Sequence, residues 1–177
     1  MQLDENGNFN WAFKIVGIQP NTFSLELLKV DLIGNIYISG KVRGQYDFGG
    51  WIPNTSLTTG NQYIVKYNSN GTLNFGKQIM QSGLMGGIKL GGMDVDHSGN
   101  IYLSGLYKGG IGFDGMEYGS SGSNQEYSFY TCRLSSNAQF SWVRIYGWFI
   151  QQLIGYTTSR ISDVSVDNNG CIYNAGF

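Results

Sequence analysis

The chain has 177 residues, of which only 13% are charged, and its formal net charge is −1. A surface so poor in Lys and Arg offers no basic patch, so the sequence predicts no nucleic-acid partner and no anionic lipid partner. Aromatic residues make up 15% of the chain, Gly occurs 27 times and Pro only twice. With no long stretch of helical periodicity, this composition favours short strands joined by Gly-containing turns, that is, an all-β fold.

A hairpin motif opens the chain and then recurs. Each copy has an apolar residue, a polar turn that contains Asn, and an aromatic residue or Leu after the turn. The copies lie at 3–11, 67–75 and 134–142. Asn-Gly between apolar runs is the strongest short hairpin signal, so each copy predicts two strands joined by a tight turn. In the third copy, Ala138 stands where the other two have Gly.

A second motif, a ten-residue cassette, alternates with the first. It starts with Asp-x-x-Gly, continues with Ile-Tyr and ends on Gly. The copies lie at 31–40, 96–105 and 167–176. Asp accepts hydrogen bonds from N–H groups two or three residues further along, and Gly supplies the positive φ that such a turn requires. The cassette therefore predicts a hairpin in which Asp31, Asp96 and Asp167 form turns rather than act as catalytic acids or metal ligands.

Both motifs keep one period. The hairpin motif returns after 64 and 67 residues (3 to 67 to 134), and the cassette after 65 and 71 residues (31 to 96 to 167). Such a period indicates copies of one supersecondary unit. We call the strands around the cassette A and B, and those around the hairpin motif C and D. Each unit is then predicted to be a meander of four antiparallel strands, which is the unit of a β-propeller blade.

The predicted units cover the chain as one partial β-propeller of about 2.7 blades. Residues 1–24 hold the outer strand of a preceding blade and a connecting loop, 25–80 and 90–146 are blades, and 160–177 begin a further blade. Closed propellers have typically four to eight blades. We therefore expect either part of a larger propeller, which is the preferred interpretation, or copies that assemble as a homo-oligomeric ring.

The longer connections are predicted to lie opposite the tight turns. They join B to C over 43–62 and 108–126, and D to A over 81–89 and 147–159. Aromatic residues on loops are candidates for contact with a protein or a sugar. The predicted partner-binding residues are Tyr46, Trp51, Tyr118, Trp148 and Phe149. For Trp51 and Trp148, packing between blades is an equally good interpretation.

Residues with reactive side chains are either repeated or isolated. His97 is the only histidine and lies in a predicted turn where the other copies have Leu and Asn. Asp94 in strand A is a candidate to point into a central channel, but its equivalents are Lys29 and Ser165, so no ring of acidic Ca²⁺ ligands is formed. We expect no catalytic residue, no metal and no cofactor.

The two cysteines, Cys132 and Cys171, lack the spacing of a zinc site or a disulfide scaffold and are predicted to be free thiols. Two glycosylation sequons begin at Asn54 and Asn70, and the sequence leaves open whether glycans are attached. The most apolar stretch, 148–150, is too short to span a membrane, so neither membrane insertion nor a signal peptide is expected.

The order and spacing of these motifs resemble the SBBP repeat, a β-propeller repeat. The resemblance rests on the run at 96–105, the segment Asp47-Phe48-Gly49-Gly50, the strand at 63–67 and the Asn-Gly turn motif, and it spans nearly the whole chain. The third unit departs from it, with Cys171 in place of Asn. The resemblance implies a propeller scaffold, commonly on extracellular or surface proteins, without shared catalytic residues.

The sequence therefore predicts a non-enzymatic structural or interaction protein that presents loops for protein–protein contact. Its expected partners are proteins or further propeller blades, on a cell surface, in a secreted assembly or on a virion. A carbohydrate-binding propeller is one alternative. A segment of an enzyme whose active site lies outside these residues is another.

Overall fold

The computed structural model describes residues 1–53, 55, 60–119, 127–146 and 161–176. Within these ranges the regular structure consists of β-strands, which confirms the all-β prediction. Their bounds are β1 Gln2–Leu3, β2 Phe9–Trp11, β3 Val16–Val30, β4 Ile36–Asp47, β5 Asn61–Tyr67, β6 Leu73–Val95, β7 Ile101–Phe113, β8 Met116–Tyr118, β9 Ser128–Leu134, β10 Phe140–Tyr146, β11 Ile161–Val166 and β12 Ile172–Gly176. No helix in the described ranges is long and apolar enough to cross a membrane.

The strands form one large antiparallel sheet and two small ones. The large sheet has the order β10-β9-β7-β6-β5-β4-β3, with β8 paired to β7. The strand pairs β1–β2 and β11–β12 form the two separate sheets. We refer to 25–80 as unit 1, 90–146 as unit 2 and 161–176 as unit 3. The predicted meander of strands A to D is present in units 1 and 2.

Two predicted connections are instead parts of long strands. β6 is continuous through 81–89, and pairs with β5 over 73–79 and with β7 over 79–95. β3 likewise begins at Val16, inside the stretch 1–24 that was expected to end in a loop. Units 1 and 2 therefore share a strand, because backbone hydrogen bonding to β7 continues where the sequence predicts a loop.

A β-bulge occurs at the same place in strand A of all three units. The pairing register shifts between Leu25 and Leu27, between Leu90 and Gly92, and between Ile161 and Asp163. A bulge turns part of the strand toward its partner. A Cβ atom on Gly40 would collide with the carbonyl oxygen of Ser24, and one on Gly105 with that of Lys89. The close approach explains why the cassette ends on Gly.

Two hydrophobic clusters lie on opposite faces of unit 1. Neighbouring residues of a strand point to opposite faces, so Tyr37 and Ile38 belong to different clusters. On one face, Ile38 and its neighbours are covered by the N-terminal residues Phe13 and Ile15. On the other face, Tyr37 and its neighbours form one cluster with the buried residues of unit 2. Units 1 and 2 therefore pack face to face although they share one sheet.

Unit 3 packs against unit 2 as unit 2 packs against unit 1: the face of unit 2 that it contacts corresponds to the face of unit 1 that contacts unit 2. β11 lies against β6 so closely that a Cβ atom on Gly92 would be 2.7 Å from the backbone of Asp163. Val164 is fully buried by this contact. Gly92 has no side chain to hold the two units apart. The backbones of strand A in unit 2 and strand A in unit 3 are therefore nearly in contact.

Candidate interaction site

Equivalent residues of the three units meet at one point, which we call the axial cluster: Lys29, Asp94 and Ser165. The Asp94 carboxylate lies 3.5 Å from the Lys29 ammonium group. Its other oxygen accepts hydrogen bonds from the Ser165 hydroxyl (3.3 Å) and the Val166 N–H (2.8 Å). A cation and two donors thus satisfy one carboxylate. The described residues contain no group of three His, Cys, Asp or Glu side chains placed to hold a metal ion.

The tight turns are closed by their aspartates. In the first cassette, the N–H groups of Ile33 (3.1 Å) and Asn35 (2.9 Å) donate to one Asp31 oxygen. The Asn35 amide (2.8 Å) and the Tyr37 hydroxyl (3.0 Å) donate to the other oxygen. The two N–H bonds to the carboxylate recur at Asp4, Asp96 and Asp167. The interpretation of Asp31, Asp96 and Asp167 as turn formers is confirmed.

The turn geometry also fixes the charge of these aspartates. Partial burial acts to raise the pKa of Asp31 and of Asp96, but the hydrogen bonds from Asn35 or Asn100 and from Tyr37 or Tyr102 outweigh it. The pKa of both carboxyl groups is therefore below its ordinary value. Burial, and then the bond to Asp31, raises the pKa of Tyr37. Neither member of this pair exchanges a proton near neutral pH.

The other reactive side chains are dispersed. His97 is exposed in the turn of the second cassette. Both cysteines are free, as predicted; Cys132 is buried in strand β9 and Cys171 is exposed. Burial raises the pKa of the Cys132 thiol well above its ordinary value, so it stays protonated and unreactive. No nucleophile–base pair is formed by these residues.

The predicted partner-binding aromatic residues of the described loops pack within the protein. Tyr46 is only 9% exposed, with its ring 5.2 Å from that of Phe23. Trp51 lies 5.4 Å from the ring of Phe48 and covers Gly76, where a Cβ atom would collide with the indole. Packing, rather than a free surface, is therefore the role that the structure gives to Trp51.

The remaining predicted residues lie on the other cluster or outside the described residues. Tyr118 is in β8 and packs edge-on against Phe113, with the ring centroids 5.7 Å apart. Trp148 and Phe149 are outside the described residues, as is the sequon residue Asn54. Tyr46 and Trp51 belong to one hydrophobic cluster and Tyr118 to the other. The structure therefore places them on opposite sides of unit 1.

A cleft between units 2 and 3 was not predicted from the sequence. Its volume is about 300 Å³, and it is lined by Thr131, Trp142, Arg144, Tyr146, Ile172 and Asn174. The Arg144 guanidinium lies 6.0 Å from the centre of the Trp142 ring. Thr131 is buried and its hydroxyl has no hydrogen-bond partner among the described residues. The cleft therefore combines an aromatic ring, a cation and an unused hydroxyl.

Strand alternation is the sequence signal that would have found this cleft. Trp142, Arg144 and Tyr146 occupy every second position of β10, so they share one face. Their unit 1 equivalents are Phe75, Lys77 and Ile79. Alternation does not reveal what lies opposite this face. In the described structure these are the two strands β11 and β12, and the cleft opens beside them.

The fold and the site define an antiparallel all-β protein. No protein-family model matches the chain. The search of curated proteins found no match either.

Proposed function

We propose that the chain is a non-enzymatic structural and interaction protein, a β-propeller segment of SBBP-type units that presents loops to protein partners. The observation that supports the propeller arrangement is the axial cluster. Lys29, Asp94 and Ser165 hold the same position in three units, and Asp94 lies within ion-pair distance of Lys29 and within hydrogen-bond distance of Ser165. Such convergence is expected when strand A of each blade lies nearest a common axis.

The contacts between units also support this arrangement. Unit 1 packs one face on unit 2, and unit 2 packs the corresponding face on unit 3 through Gly92 and Val164. Stacked units that contact only their neighbours make a rigid scaffold. A crystal structure tests the arrangement: we expect the strands A of all units to surround one axis, and strands A that diverge from it contradict the propeller.

A structural role is favoured over catalysis by what the polar groups do. The turn aspartates accept hydrogen bonds from their own turns, and Asp94 joins neighbouring units. Each of these groups is used to hold backbone in place. The proposed location, on a cell surface, in a secreted assembly or on a virion, rests on the SBBP resemblance.

Partner binding is proposed for the end of the units that carries the longer connections between strands. The variants are chosen according to how tightly each aromatic residue is packed. Tyr46 is buried and Trp51 is partly buried against the same cluster, so their loss would disturb folding as well as binding. Trp148→Ala and Phe149→Ala are the more informative changes. His97→Ala removes an exposed ring from the turn end and is the matched control.

The experiment compares the proteins retained by the immobilised full chain and by these variants, from an extract of the source cells, by quantitative mass spectrometry. We expect a defined set to be retained by the unchanged chain and by His97→Ala and to be reduced at least tenfold by Trp148→Ala and by Phe149→Ala. Equal retention by all four proteins would contradict the long connections between strands as the interaction site.

Carbohydrate is a second candidate ligand, and the cleft between units 2 and 3 favours it. The Trp142 ring offers a stacking surface, and the Arg144 guanidinium offers hydrogen bonds. A glycan array probed with the full chain tests this candidate. We expect binding that Trp142→Ala abolishes and His97→Ala preserves, whereas no binding at millimolar sugar would exclude it.

A further inference from the structure

The turn between strands C and D of unit 1 contains the sequon Asn70-Gly71-Thr72, which the proposed function does not use. The turn is closed by two backbone hydrogen bonds. The Gly71 N–H donates to the Asn68 carbonyl (2.8 Å), and the Asn68 N–H donates to the Thr72 carbonyl (2.8 Å). Asn70 is exposed in this turn. The acceptor residue of the sequon is therefore accessible from solvent.

The Asn70 side chain has its oxygen occupied and its nitrogen free. The Thr72 N–H (3.1 Å) and the Thr72 hydroxyl (2.7 Å) both donate to Asn70 Oδ1. Asn70 Nδ2 donates no hydrogen bond within the part of the chain that the structure describes. By contrast, the amide nitrogen of Asn35, in the cassette turn of the same unit, donates to Asp31 (2.8 Å). The amide nitrogen of Asn70 is thus available to a reagent from outside the protein.

A series of side-chain hydrogen bonds fixes the direction of the Thr72 hydroxyl. The Asn74 amide donates to Asn68 Oδ1 (2.8 Å), and the Asn68 amide donates to Thr72 Oγ1 (2.9 Å). A hydroxyl carries one hydrogen and an NH₂ group can only donate, so the Thr72 hydrogen is left for Asn70 Oδ1. Each bond in such a series polarises the next. We call Asn74, Asn68, Thr72 and Asn70 the amide relay.

The amide relay prepares Asn70 for reaction at nitrogen. An amide nitrogen becomes a nucleophile when it loses a proton, and the negative charge that results lies largely on the amide oxygen. Hydrogen bonds to the charged form of a group favour that form. The two donors held on Asn70 Oδ1 therefore lower the cost of removing a proton from Nδ2.

The equivalent turns lack this arrangement, although the same pair of backbone hydrogen bonds closes them. In unit 2, the Ser135 hydroxyl donates to Asn137 Oδ1, and Gln139 stands at the place of Thr72. In the first hairpin, Asn8 stands at that place, and its amide donates to the turn aspartate (2.9 Å). Of the three turns, only that of unit 1 has a hydroxyl two residues after its central asparagine.

We propose that Asn70 carries an N-linked glycan. This inference rests on the proposed location on a cell surface, in a secreted assembly or on a virion, because an Asn-x-Thr sequon is modified in chains that meet the glycosylation enzymes. The sugar donor is an oligosaccharide linked to a lipid through pyrophosphate. Asn70 Nδ2 bonds to the anomeric carbon of the sugar, and the bond from that carbon to the pyrophosphate oxygen breaks. The pyrophosphate leaves with the electron pair, and a base of the transferase takes the Nδ2 proton.

The place of the turn suits both the enzyme and the scaffold. The bonds of the amide relay span only two to six residues, so the turn can form in an emerging chain before the sheet is complete. In an antiparallel meander, the C–D turn lies at the opposite end of the strands from the longer connections. A glycan on Asn70 therefore leaves free the end of the units for which partner binding is proposed.

Mass spectrometry of the natural protein tests the proposal. Trypsin cleaves after Lys66 and Lys77, so the peptide 67–77 contains Asn70 and no other sequon. We expect this peptide, from protein recovered at the cell surface, in the medium or in virions, to carry a glycan on Asn70. The intact glycopeptide is measured, because Asn-Gly also deamidates spontaneously and would imitate the product of enzymatic deglycosylation.

The two negative results have different meanings. An unmodified peptide from protein recovered outside the cell would overturn the glycan and leave the proposed scaffold standing. A chain recovered only from the cytoplasm, with the peptide unmodified, would overturn the proposed location and the glycan together.

Variants of the full chain, secreted by a glycosylating cell line behind a cleavable signal peptide, test the amide relay. Thr72→Val removes the hydroxyl and should abolish the modification. Asn68→Ala keeps the sequon but removes the donor to Thr72, so we expect at least threefold lower occupancy of Asn70. Ser135→Ala, at the place of Asn68 in unit 2, is the matched control and should leave the occupancy unchanged. Full occupancy in Asn68→Ala would overturn the relay, and an unmodified Asn70 in the unchanged chain would overturn the site.

Discussion

The contact between units 1 and 2 differs from the contact between units 2 and 3, although the same positions form both. In the first, Ile64, Phe75 and Ile79 lie in one apolar cluster with a complete unit 2. In the second, the equivalent residues are Thr131, Trp142 and Tyr146, and they line an open cleft. The residue type at each of these positions therefore depends on the neighbouring unit and not on the strand that carries it.

The largest effect is expected from a substitution that makes the contact between units 1 and 2 resemble the contact between units 2 and 3. Ile64→Thr removes buried apolar volume and leaves a hydroxyl without a partner at a fully buried position. We expect the free energy of unfolding to fall by about 2 to 3 kcal/mol in urea denaturation. Ile145→Thr, on the partly buried strand β10, is the control and should cost less. Because Ile145 lies at the edge of the same cluster, equal losses would mean that the centre of this contact is packed no better than its edge.

Asp94 joins both contacts, so its removal should weaken them together. Asp94→Ala leaves the Val166 N–H without its acceptor and Lys29 without its partner. We expect a loss of about 1 to 2 kcal/mol, because hydrogen bonds to a charged group contribute more than neutral ones. Glu26→Ala, which breaks the ion pair of a more exposed carboxylate with Lys41, should cost at most about 0.5 kcal/mol. A larger effect at Glu26 would argue against the axial cluster.

The reverse substitution, from Thr to Ile in the contact between units 2 and 3, should stabilise the protein. Thr131→Ile removes a buried hydroxyl that has no partner and restores the residue type of unit 1. We expect a gain of about 1 kcal/mol in the free energy of unfolding. Thr22→Ile, at a hydroxyl that donates a hydrogen bond to Asn21, is the control and should show no gain. Destabilisation by Thr131→Ile would indicate that the cleft does not accept a larger side chain.

The two C–D turns offer a smaller comparison. Gly71 has a φ of 82° and Ala138 a φ of 65°, so both occupy the left-handed region that favours Gly. Ala138→Gly should therefore raise the free energy of unfolding by about 0.5 kcal/mol, detected as a higher melting temperature. Ala175→Gly, in the extended strand β12, should lower it. Two changes of the same sign would contradict this account of the turn.

The smallest expected effect is on the stability of the protein at acidic pH. The pKa of Asp96 is lowered in the folded protein, so its contribution to stability is present above about pH 4, the ordinary aspartate range, and is lost as the pH falls through the folded-state pKa. Asp96→Asn should therefore make the decline in melting temperature between pH 5 and pH 3 shallower. An unchanged decline would assign the acid sensitivity to other carboxyl groups.

The sequence predicted the features that depend on local chemistry. An aspartate followed by Gly three residues later closes a turn through bonds that span only two to six residues, and these turns are where the motifs placed them. The glycine-rich stretch at 83–87 was misread as a loop because nothing local reveals that β7 pairs with this strand. Its register shift between Ser82 and Gly87 accommodates the irregular stretch within the strand.

Much less of the candidate site could be predicted, because it depends on what lies opposite each strand. The sequence predicts Trp51 as an aromatic residue on a loop. In the structure it is packed, because Gly76 leaves room for its ring. The cleft beside Trp142 opens because β12 has no strand C beside it in the described structure. Neither fact follows from the residue itself or from its neighbours along the chain.

The order of strands in the large sheet has a consequence for how the chain acquires its structure. Apart from the short β8, every pair in that sheet joins strands that follow one another in sequence. Loop closure therefore costs little entropy at each step, and pairing can begin at any hairpin and spread to the next. During synthesis, β3 and β4 can pair before the second unit exists, so the protein can form from its N-terminal end as it leaves the ribosome.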